Sequence, residues 1–298
     1  MKVGFVSLIG KPNAGKSTLT NTIVGEKVSI VSWKPQTTRN KILGIANTDD
    51  YQLIIVDTPG VHNGKNALSK YMMKSVEKGQ EGVEVIVYVM AVDKRFDERD
   101  REFIQKYAGG KTPFIIALNK CDDVEQDAIP KRIEALKDIN GIDSIIPISA
   151  LTGKNVDMLI NRLVELMPDG ERFFDEDMYT DKSVRFMVSE IIREKALRNL
   201  DEEIPYGIGV VVNKFEYRQN GILDIDADIV CEKQSHKAMV IGKGGAMIKK
   251  ISTQSRQDIE ELVDGKVFLN LYVRVKEDWR DSDFLLNQLG YNIKDLKD

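Results

Sequence analysis

The sequence predicts an α/β protein with a mostly parallel sheet, followed by a smaller α+β module. Across the first 168 or so residues, short apolar runs alternate with amphipathic stretches, which is the order of a parallel sheet wrapped by helices. After about residue 182 the order becomes helix, strand, strand, helix, helix, strand. A chain of 298 residues is long enough for two domains that each bury a core of their own.

The strands predicted for the first part are five short apolar runs: Phe5–Ile9, Gln52–Val56, Val85–Ala91, Phe114–Leu118 and Ile145–Ile148. The stretch Met167-Pro168-Asp169-Gly170 ends this alternation, and an acidic irregular segment follows it. We therefore expect a first domain over residues 1–170, a linker over 171–182, and a second domain with its tail over 183–298.

The elements predicted for the second part are a long helix, a hairpin, two helices around a glycine cluster, and a last strand. They cover Val184–Leu200, Gly207–Tyr217, Ile222–Cys231, the flanks of Gly242–Gly245, and Lys266–Lys276. The hairpin would turn at Gln219-Asn220-Gly221, which is a favourable turn sequence.

Composition and charge narrow the classes of function. Hydrophobic residues make up 42% and charged residues 30%, and no apolar run approaches the ~20 residues that cross a bilayer, so we expect a soluble globular protein. The net charge of −4 argues against a uniformly basic surface, so contact with RNA requires a local patch. The only cysteines, Cys121 and Cys231, lack the spacing of a zinc site or disulfide framework, which fits a reducing cytoplasm.

A phosphate-binding loop is predicted at Gly10–Ser17, which fits the pattern G-x-x-x-x-G-K-[ST] between a strand and a helical pattern. Small residues let consecutive backbone N–H groups converge on phosphate oxygens, and the following helix N-terminus adds a favourable dipole. Lys16 would neutralise the β- and γ-phosphates, and the Ser17 hydroxyl would bind Mg²⁺. The rest of this predicted nucleotide contact is Gly10, Asn13, Ala14, Gly15 and Thr18.

Three further motifs follow predicted strands and make a chance glycine turn untenable. Asp57-Thr58-Pro59-Gly60 would place Asp57 near Mg²⁺, through water, and the Gly60 N–H near the γ-phosphate. In Asn119-Lys120-Cys121-Asp122, the Asp122 carboxylate can accept from N1–H and the 2-amino group of guanine, while Lys120 lies along the base. Ser149-Ala150-Leu151 would offer the Ala150 N–H to guanine O6. Together these motifs predict GTP as the ligand.

With Gln36-Thr37-Thr38-Arg39, these motifs resemble the five G motifs of a small GTPase of the translation-factor class, and specifically its Era branch. The resemblance covers the whole chain and implies a P-loop GTPase domain that binds GTP or GDP. It implies that Thr37 and Thr38 lie in switch I, and Thr38 is our choice for the Mg²⁺ ligand. Lys16, Thr38 and Gly60 would then act in hydrolysis.

Slow hydrolysis is expected, because Ras-like proteins place a water-orienting glutamine directly after the Asp-x-x-Gly turn and this chain has Val61 there. His62 follows, and we assign it no catalytic role. The resemblance also suggests that Asn13 helps to bind K⁺ in place of an arginine finger. A turn residue in the phosphate loop is the other interpretation of Asn13, and both stay open.

A second site is predicted at Ile241-Gly242-Lys243-Gly244-Gly245, which resembles the Gly-x-x-Gly loop of a type II KH domain. Such a loop clamps about four nucleotides by their backbone. No acidic residue lies between Glu232 and Asp258, so Lys243, Lys249 and Lys250 form a local basic patch. The apolar residues Val240, Ile241, Ile248 and Ile251 would line a groove for bases, or serve as core.

The resemblance implies a monomer that binds 16S ribosomal RNA and assists assembly of the small (30S) ribosomal subunit in the cytoplasm. It also implies weak peripheral association with the inner face of the cell membrane, although no lipidation motif or basic amphipathic helix supports this. The alternative is a membrane-associated or signalling GTPase whose C-terminal domain binds protein.

Overall fold

The computed structural model describes residues 1–60, 65–125 and 127–292, apart from the side chain of Arg99. These residues divide into two compact units. The first unit contains the described residues of 1–29, 38–60 and 72–181, and the second contains those of 30–37, 65–71 and 182–292. The sequence did not indicate that two short segments of the N-terminal half belong to the second unit.

The described residues of the first unit form a six-stranded sheet in the order β2-β3-β1-β4-β5-β6. Its strands are β1 Lys2–Ile9, β2 Ile42–Asn47, β3 Tyr51–Asp57, β4 Val85–Ala91, β5 Phe114–Asn119 and β6 Ser144–Pro147. All neighbouring pairs run parallel except β2 and β3, which are antiparallel. The predicted mostly parallel sheet is confirmed.

Strand β2 is the one element of this sheet that the sequence analysis missed. It pairs with β3 from Ile42 opposite Asp57 to Asn47 opposite Gln52. The run is only six residues long and contains Gly44, so its apolar pattern is too weak to separate from the preceding loop.

Helices flank the strands along the first part of the chain: α1 Lys16–Val24, α2 Ala67–Lys78, α3 Glu98–Ala108, α4 Ala128–Leu136 and α5 Val156–Leu166. Alternate residues of a strand enter two separate cores. In β4, Val87 belongs to one apolar cluster and the neighbouring Tyr88 to the other. Because both faces are buried, the strands are almost continuously apolar, which is why they were readable from the sequence.

Residues 171–181 of the predicted linker 171–182 pack on the first unit. The Phe173 ring lies 5.2 Å from that of Phe5 between centroids. The Gln52 side-chain oxygen accepts hydrogen bonds from the backbone N–H groups of Phe173, at 2.8 Å, and Phe174, at 3.1 Å. The limits of the two domains, 1–170 and 183–298, stay a prediction.

The second unit contains a three-stranded sheet in the order β7-β8-β9, within the part of the chain that the structure describes. Its elements are α6 Val184–Asn199, β7 Gly209–Tyr217, β8 Leu223–Cys231, α7 Gln234–Ile241, α8 Ala246–Leu262, β9 Val267–Val275 and α9 Asp283–Gln288. Strands β7 and β8 are antiparallel, and β8 and β9 are parallel. The predicted order of helix, strand, strand, helix, helix, strand is confirmed.

Shortening Ile116 tests the role of the buried sheet in stability. Its side chain is fully buried, so we expect Ile116→Ala to lower the free energy of unfolding by about 2–5 kcal/mol. Met158 on α5 is 58% exposed, and Met158→Ala should change that free energy by less than about 0.5 kcal/mol. Urea unfolding followed by circular dichroism measures both; equal losses would contradict this account of the core.

Candidate functional site

The loop between β1 and α1 has a shape that only glycine permits at two positions. Gly10 has φ +151°, and a Cβ there would lie 2.4 Å from the Val89 carbonyl oxygen. Gly15 has φ +100°, and a Cβ there would lie 2.2 Å from Nδ2 of Asn119. The loop lies between β1 and α1, as the sequence predicts, and it runs against β4 and the end of β5.

Helix α1 begins at this loop without a side-chain cap. Its N-cap is Gly15, which has no side chain to accept from the first N–H groups. The first turn also contains no acidic residue. These N–H groups and the helix dipole favour an anionic ligand such as phosphate.

Lys16 is buried at the start of α1, with 6% of its surface exposed. Its ammonium group donates to the carbonyl oxygens of Gly10, at 3.2 Å, and Lys11, at 3.3 Å. Burial lowers the pKa of Lys16 to about 8, although the Asp57 carboxylate opposes that change. A buried ammonium held by neutral carbonyls gains further stabilisation from an anion, which fits its predicted contact with phosphate.

Asp57 lies at the carboxyl end of β3 and is fully buried. Within the described residues, neither carboxylate oxygen has a hydrogen-bond partner. Burial raises the pKa of Asp57, whereas the Lys16 ammonium and the nearby hydroxyls of Ser17 and Ser29 lower it. A buried carboxylate without a partner is costly, so this group is suited to a cation or its bound water.

Two hydroxyl groups complete a set of oxygen ligands near Asp57. The Ser17 and Thr38 hydroxyl oxygens lie 2.8 Å apart, and either can donate to the other. Hydroxyl, carboxylate and phosphate oxygens are the ligands that Mg²⁺ prefers. The residues present therefore fit Mg²⁺, and the assignment of Ser17, Thr38 and Asp57 as its ligands stays a prediction.

The two switch I threonines have different surroundings. Thr38 contacts Ser17, whereas the Thr37 hydroxyl donates to the Lys34 carbonyl at 2.7 Å. Thr37 also belongs to the second unit, and Thr38 to the first. The structure thus places Thr38 at the predicted Mg²⁺ site and does not place Thr37 there.

Gly60 lies close to the phosphate loop. A Cβ on Gly60 would be 3.0 Å from Cα, Cγ and N of Pro12. The Thr58 hydroxyl donates to the Leu8 carbonyl at 2.9 Å and fixes the turn to the end of β1. Val61 and His62, on which the expectation of slow hydrolysis depends, lie outside the described residues.

Asn119 joins the phosphate loop to the predicted base-binding loops. Its Nδ2 donates to the Ala14 carbonyl at 2.8 Å, and its Oδ1 accepts from the Ala150 N–H at 2.9 Å. The sequence analysis assigned the Ala150 N–H to guanine O6, whereas in the structure it orients Asn119. Its contact with guanine stays a prediction.

The remaining base-site residues differ in exposure. Asp122 is exposed, and Lys120 has φ +67° with its ammonium nitrogen 3.5 Å from an oxygen of Asp93. The Ser149 hydroxyl accepts from the Thr152 N–H at 3.1 Å, so it stabilises the turn. Leu151 is 78% exposed, and Thr18 lies in the first turn of α1.

Lys11 anchors the phosphate loop to α3, which the sequence analysis did not predict. Its ammonium group lies 2.8 Å from Asp100 and 3.2 Å from Asp97. Asp97 and Asp100 also form the capping box that begins α3, and Tyr88 donates to Asp100 at 2.9 Å. The spacing of Asp97 and Asp100 is a sequence signal for a capping box, but no local pattern indicates that Lys11 pairs with it.

The glycine loop of the second unit also contains main chain in the left-handed region, which favours glycine. Gly242 has φ +74°, and a Cβ there would lie 2.7 Å from Cβ of Met247. Gly244 and Gly245 have φ +60° and +79°, with open space where a Cβ would be. The side chains of Lys243, Lys249 and Lys250 are exposed around this loop. The main chain of Gly244 and Gly245 is therefore open to a ligand, and its contact with RNA stays a prediction.

Burial divides the four apolar residues that were predicted to line a groove or form core. Val240 and Ile251 are fully buried and belong to the core. Ile241 and Ile248 are half-buried and pack at the edge of that core. Only Ile241 and Ile248 are therefore exposed enough to contact a base.

Comparison with known proteins gives matches to both parts of the chain. Residues 5–120 match the family model of the 50S ribosome-binding GTPases, and residues 203–280 match that of the KH domain. GTPase Era of Clostridium kluyveri is 47% identical over 98% of this chain and 99% of that protein. GTPase Era of Clostridium novyi is 46% identical over 97% of this chain and 99% of that protein.

Two crystal structures share the fold of the whole chain at 36% identity and a TM-score of 0.94. One is Era in complex with MgGDPNP and nucleotides 1506–1542 of 16S ribosomal RNA, and the match covers 98% of this chain and 99% of that chain. The other is a variant of Aquifex aeolicus Era bound to GDP·AlF4⁻, with 98% and 100% covered. Together with the sites described above, these matches show that the chain belongs to the Era family of GTPases.

Proposed function

We propose that this protein is a GTP-hydrolysing switch that binds 16S ribosomal RNA and assists assembly of the small ribosomal subunit. The observation that carries the proposal is the arrangement at the end of β3. There the unpartnered Asp57 carboxylate lies near two hydroxyl groups, and Thr38, which carries one of them, belongs to switch I. Such a site holds a nucleotide together with Mg²⁺, and it changes when the third phosphate leaves.

Different residues of the site bind different parts of the nucleotide and its cation. Lys16 and the N–H groups at the start of α1 bind phosphate oxygens, and Ser17 and Thr38 supply hydroxyl ligands to the cation. Asp57 acts through a bound water. Mg²⁺, when bound, neutralises the charge that develops on the phosphates. Gly60, next to Pro12, offers its N–H towards the γ-phosphate.

Hydrolysis is slow in this proposal, because Val61 has no side-chain group that can orient the attacking water. Asn13 has φ +61°, a left-handed conformation that asparagine tolerates, which supports its interpretation as a turn residue. That geometry is also compatible with a role in K⁺ binding, and a comparison of hydrolysis in K⁺ and Na⁺ separates the two.

The choice of the small subunit rests on the structural match. The family model over residues 5–120 is described by binding to the 50S subunit, but it covers the GTPase part alone. The Era structure that contains nucleotides 1506–1542 of 16S ribosomal RNA matches this chain over 98% of its length. We therefore propose the corresponding RNA of the small subunit as the partner.

The proposal extends to a monomer that acts in the cytoplasm, with weak peripheral contact with the inner face of the membrane. Cys121 and Cys231 are both free thiols, which fits a reducing compartment. Among the described residues, no helix is both long and apolar enough to cross a membrane. Flotation of the purified protein with vesicles of anionic lipid tests the peripheral contact.

Replacing Asp122 tests the predicted recognition of guanine. Asp122→Asn should shift the preference from guanine towards xanthine nucleotides, because an amide cannot accept from both N1–H and the 2-amino group. Losing this pairing should weaken GTP binding at least about tenfold. The exposed neighbour Asp123 provides the control, since Asp123→Asn removes the same charge. Titration with fluorescent GDP and competition by xanthosine diphosphate measure the shift; retained guanine preference in Asp122→Asn would refute the assignment.

Replacing Gly242 tests the glycine loop. Gly242→Asp adds a negative charge and a side chain where phosphates must approach, so affinity for the 3′ region of 16S ribosomal RNA should fall at least about tenfold. Gly221→Asp is the control for an aspartate at a positive-φ glycine, because Gly221 lies in the β7–β8 turn; its surroundings are open, whereas a Cβ at Gly242 would lie 2.7 Å from Cβ of Met247, so circular dichroism first establishes that both variants are folded. Gel-shift titration measures both variants. Equal affinity of Gly242→Asp and the parent protein for this RNA would refute the assignment of the RNA site and favour a protein partner.

A further inference from the structure

A polar cavity of about 360 Å³ lies in the second unit, between the segment 30–37 and helices α6 and α8. It is lined by Trp33, Lys195, Arg198, Asn199, Gln254, Gln257 and Asp258. The Trp33 side chain is 66% exposed, which is unusual for a residue of its size. None of these residues belongs to the nucleotide motifs or to the glycine loop.

Main-chain contacts fix Trp33 at the rim of this cavity. Arg198 on α6 donates through Nε and Nη2 to the Val31 carbonyl, at 3.1 and 2.8 Å. The Lys34 ammonium donates to the Leu200 carbonyl at the end of α6. Residues on both sides of Trp33 are thus held to one helix, which limits the positions that its ring can take.

The floor of the cavity contains a pair of amides. Asn199 donates through Nδ2 to the Gln254 side-chain oxygen at 2.6 Å and to the Lys195 carbonyl at 2.8 Å. Among the described residues, Nε2 of Gln254 and Oδ1 of Asn199 then have no hydrogen-bond partner. The pair therefore presents one donor and one acceptor to the cavity, which suits the hydrogen-bonding edge of a nucleobase.

The cations of the cavity already have carboxylate partners. Lys195 forms an ion pair with Asp258, and Arg198 forms one with Glu194. This balance makes the cavity a poor site for a phosphate or an acidic peptide. An exposed indole ring beside a donor and an acceptor instead favours a flat, neutral heterocycle that can stack.

Helix α8 connects this cavity to the glycine loop. It begins at Ala246, directly after Gly245, and Lys250, Gln254 and Gln257 lie on one face by their spacing of four and three residues. Gln254 lies nine residues beyond Gly245, a rise of about 14 Å along the helix. The exposed Lys250 stands between them and can contact the backbone of a strand that spans this distance.

We propose that this cavity is a second base-binding site, which takes one unpaired nucleobase of the strand gripped by the glycine loop and stacks it on Trp33. The inference rests on the proposed function, because it requires that the second unit bind single-stranded RNA. Trp33 lies five residues before Thr38, so the cavity is built partly from the chain segment that leads into the Mg²⁺ ligands.

The test compares two single-stranded RNAs of the 16S 3′ region, one of about four nucleotides and one of about twelve. Trp33→Ala should weaken binding of the long strand about tenfold, the loss of one stacked base, and leave the short strand unchanged. Trp33→Phe should recover part of the affinity. Phe284→Ala, which removes another exposed aromatic ring of the second unit, is the control and should leave both affinities unchanged.

Tryptophan fluorescence gives an independent signal, since Trp279 is fully buried and Trp33 is exposed. The long strand should quench the parent protein and leave Trp33→Ala unquenched. Equal affinity of Trp33→Ala and the parent for the long strand, or quenching that persists in Trp33→Ala, would overturn the second site. Failure of the parent to bind either RNA would instead refute the proposed function.

Discussion

The contact between the Ser17 and Thr38 hydroxyls, beside the buried Asp57, is the interaction on which the rest of this structure depends. It joins the phosphate loop, the end of β3 and switch I at one point. Neither carboxylate oxygen of Asp57 has a hydrogen-bond partner among the described residues, so this point is suited to a cation and to phosphate. Gly10, Gly15 and Asn119 keep the surrounding loops close enough for that to occur.

The chain segment that precedes Thr38 connects the nucleotide site to the second unit through the main chain. Thr38 belongs to the first unit, while Thr37 and the six residues before it down to Val31 belong to the second. Arg193 and Arg198 on α6 donate to the carbonyls of Thr37 and Val31 respectively. Thr38 is therefore joined directly to a segment that helix α6 holds. Under the proposed function, that segment is the element whose position would change with the nucleotide state.

Sequence reasoning worked where one local pattern determines one structure. Strands such as Val85–Ala91 are apolar on both faces, and the motifs at Gly10–Ser17 and Asn119–Asp122 each follow a strand. It failed where the outcome depends on a distant partner. The short strand Ile42–Asn47 needs β3, Lys11 needs Asp100, and the Asn119 amide needs the main chain of Ala14 and Ala150. The packing of residues 30–37 with α6 has no signal in local sequence, because tertiary contacts determine it.

The most direct test of the central claim is calorimetric titration of 16S 3′-region RNA into the full chain. The protein is loaded in turn with a non-hydrolysable GTP analogue, with GDP, or with no nucleotide, all in Mg²⁺. The account predicts different RNA affinities for the triphosphate and diphosphate forms. It also predicts that this difference disappears in Thr38→Ala, which still binds nucleotide through Lys16. The same RNA affinity in all three forms of the parent protein would contradict it.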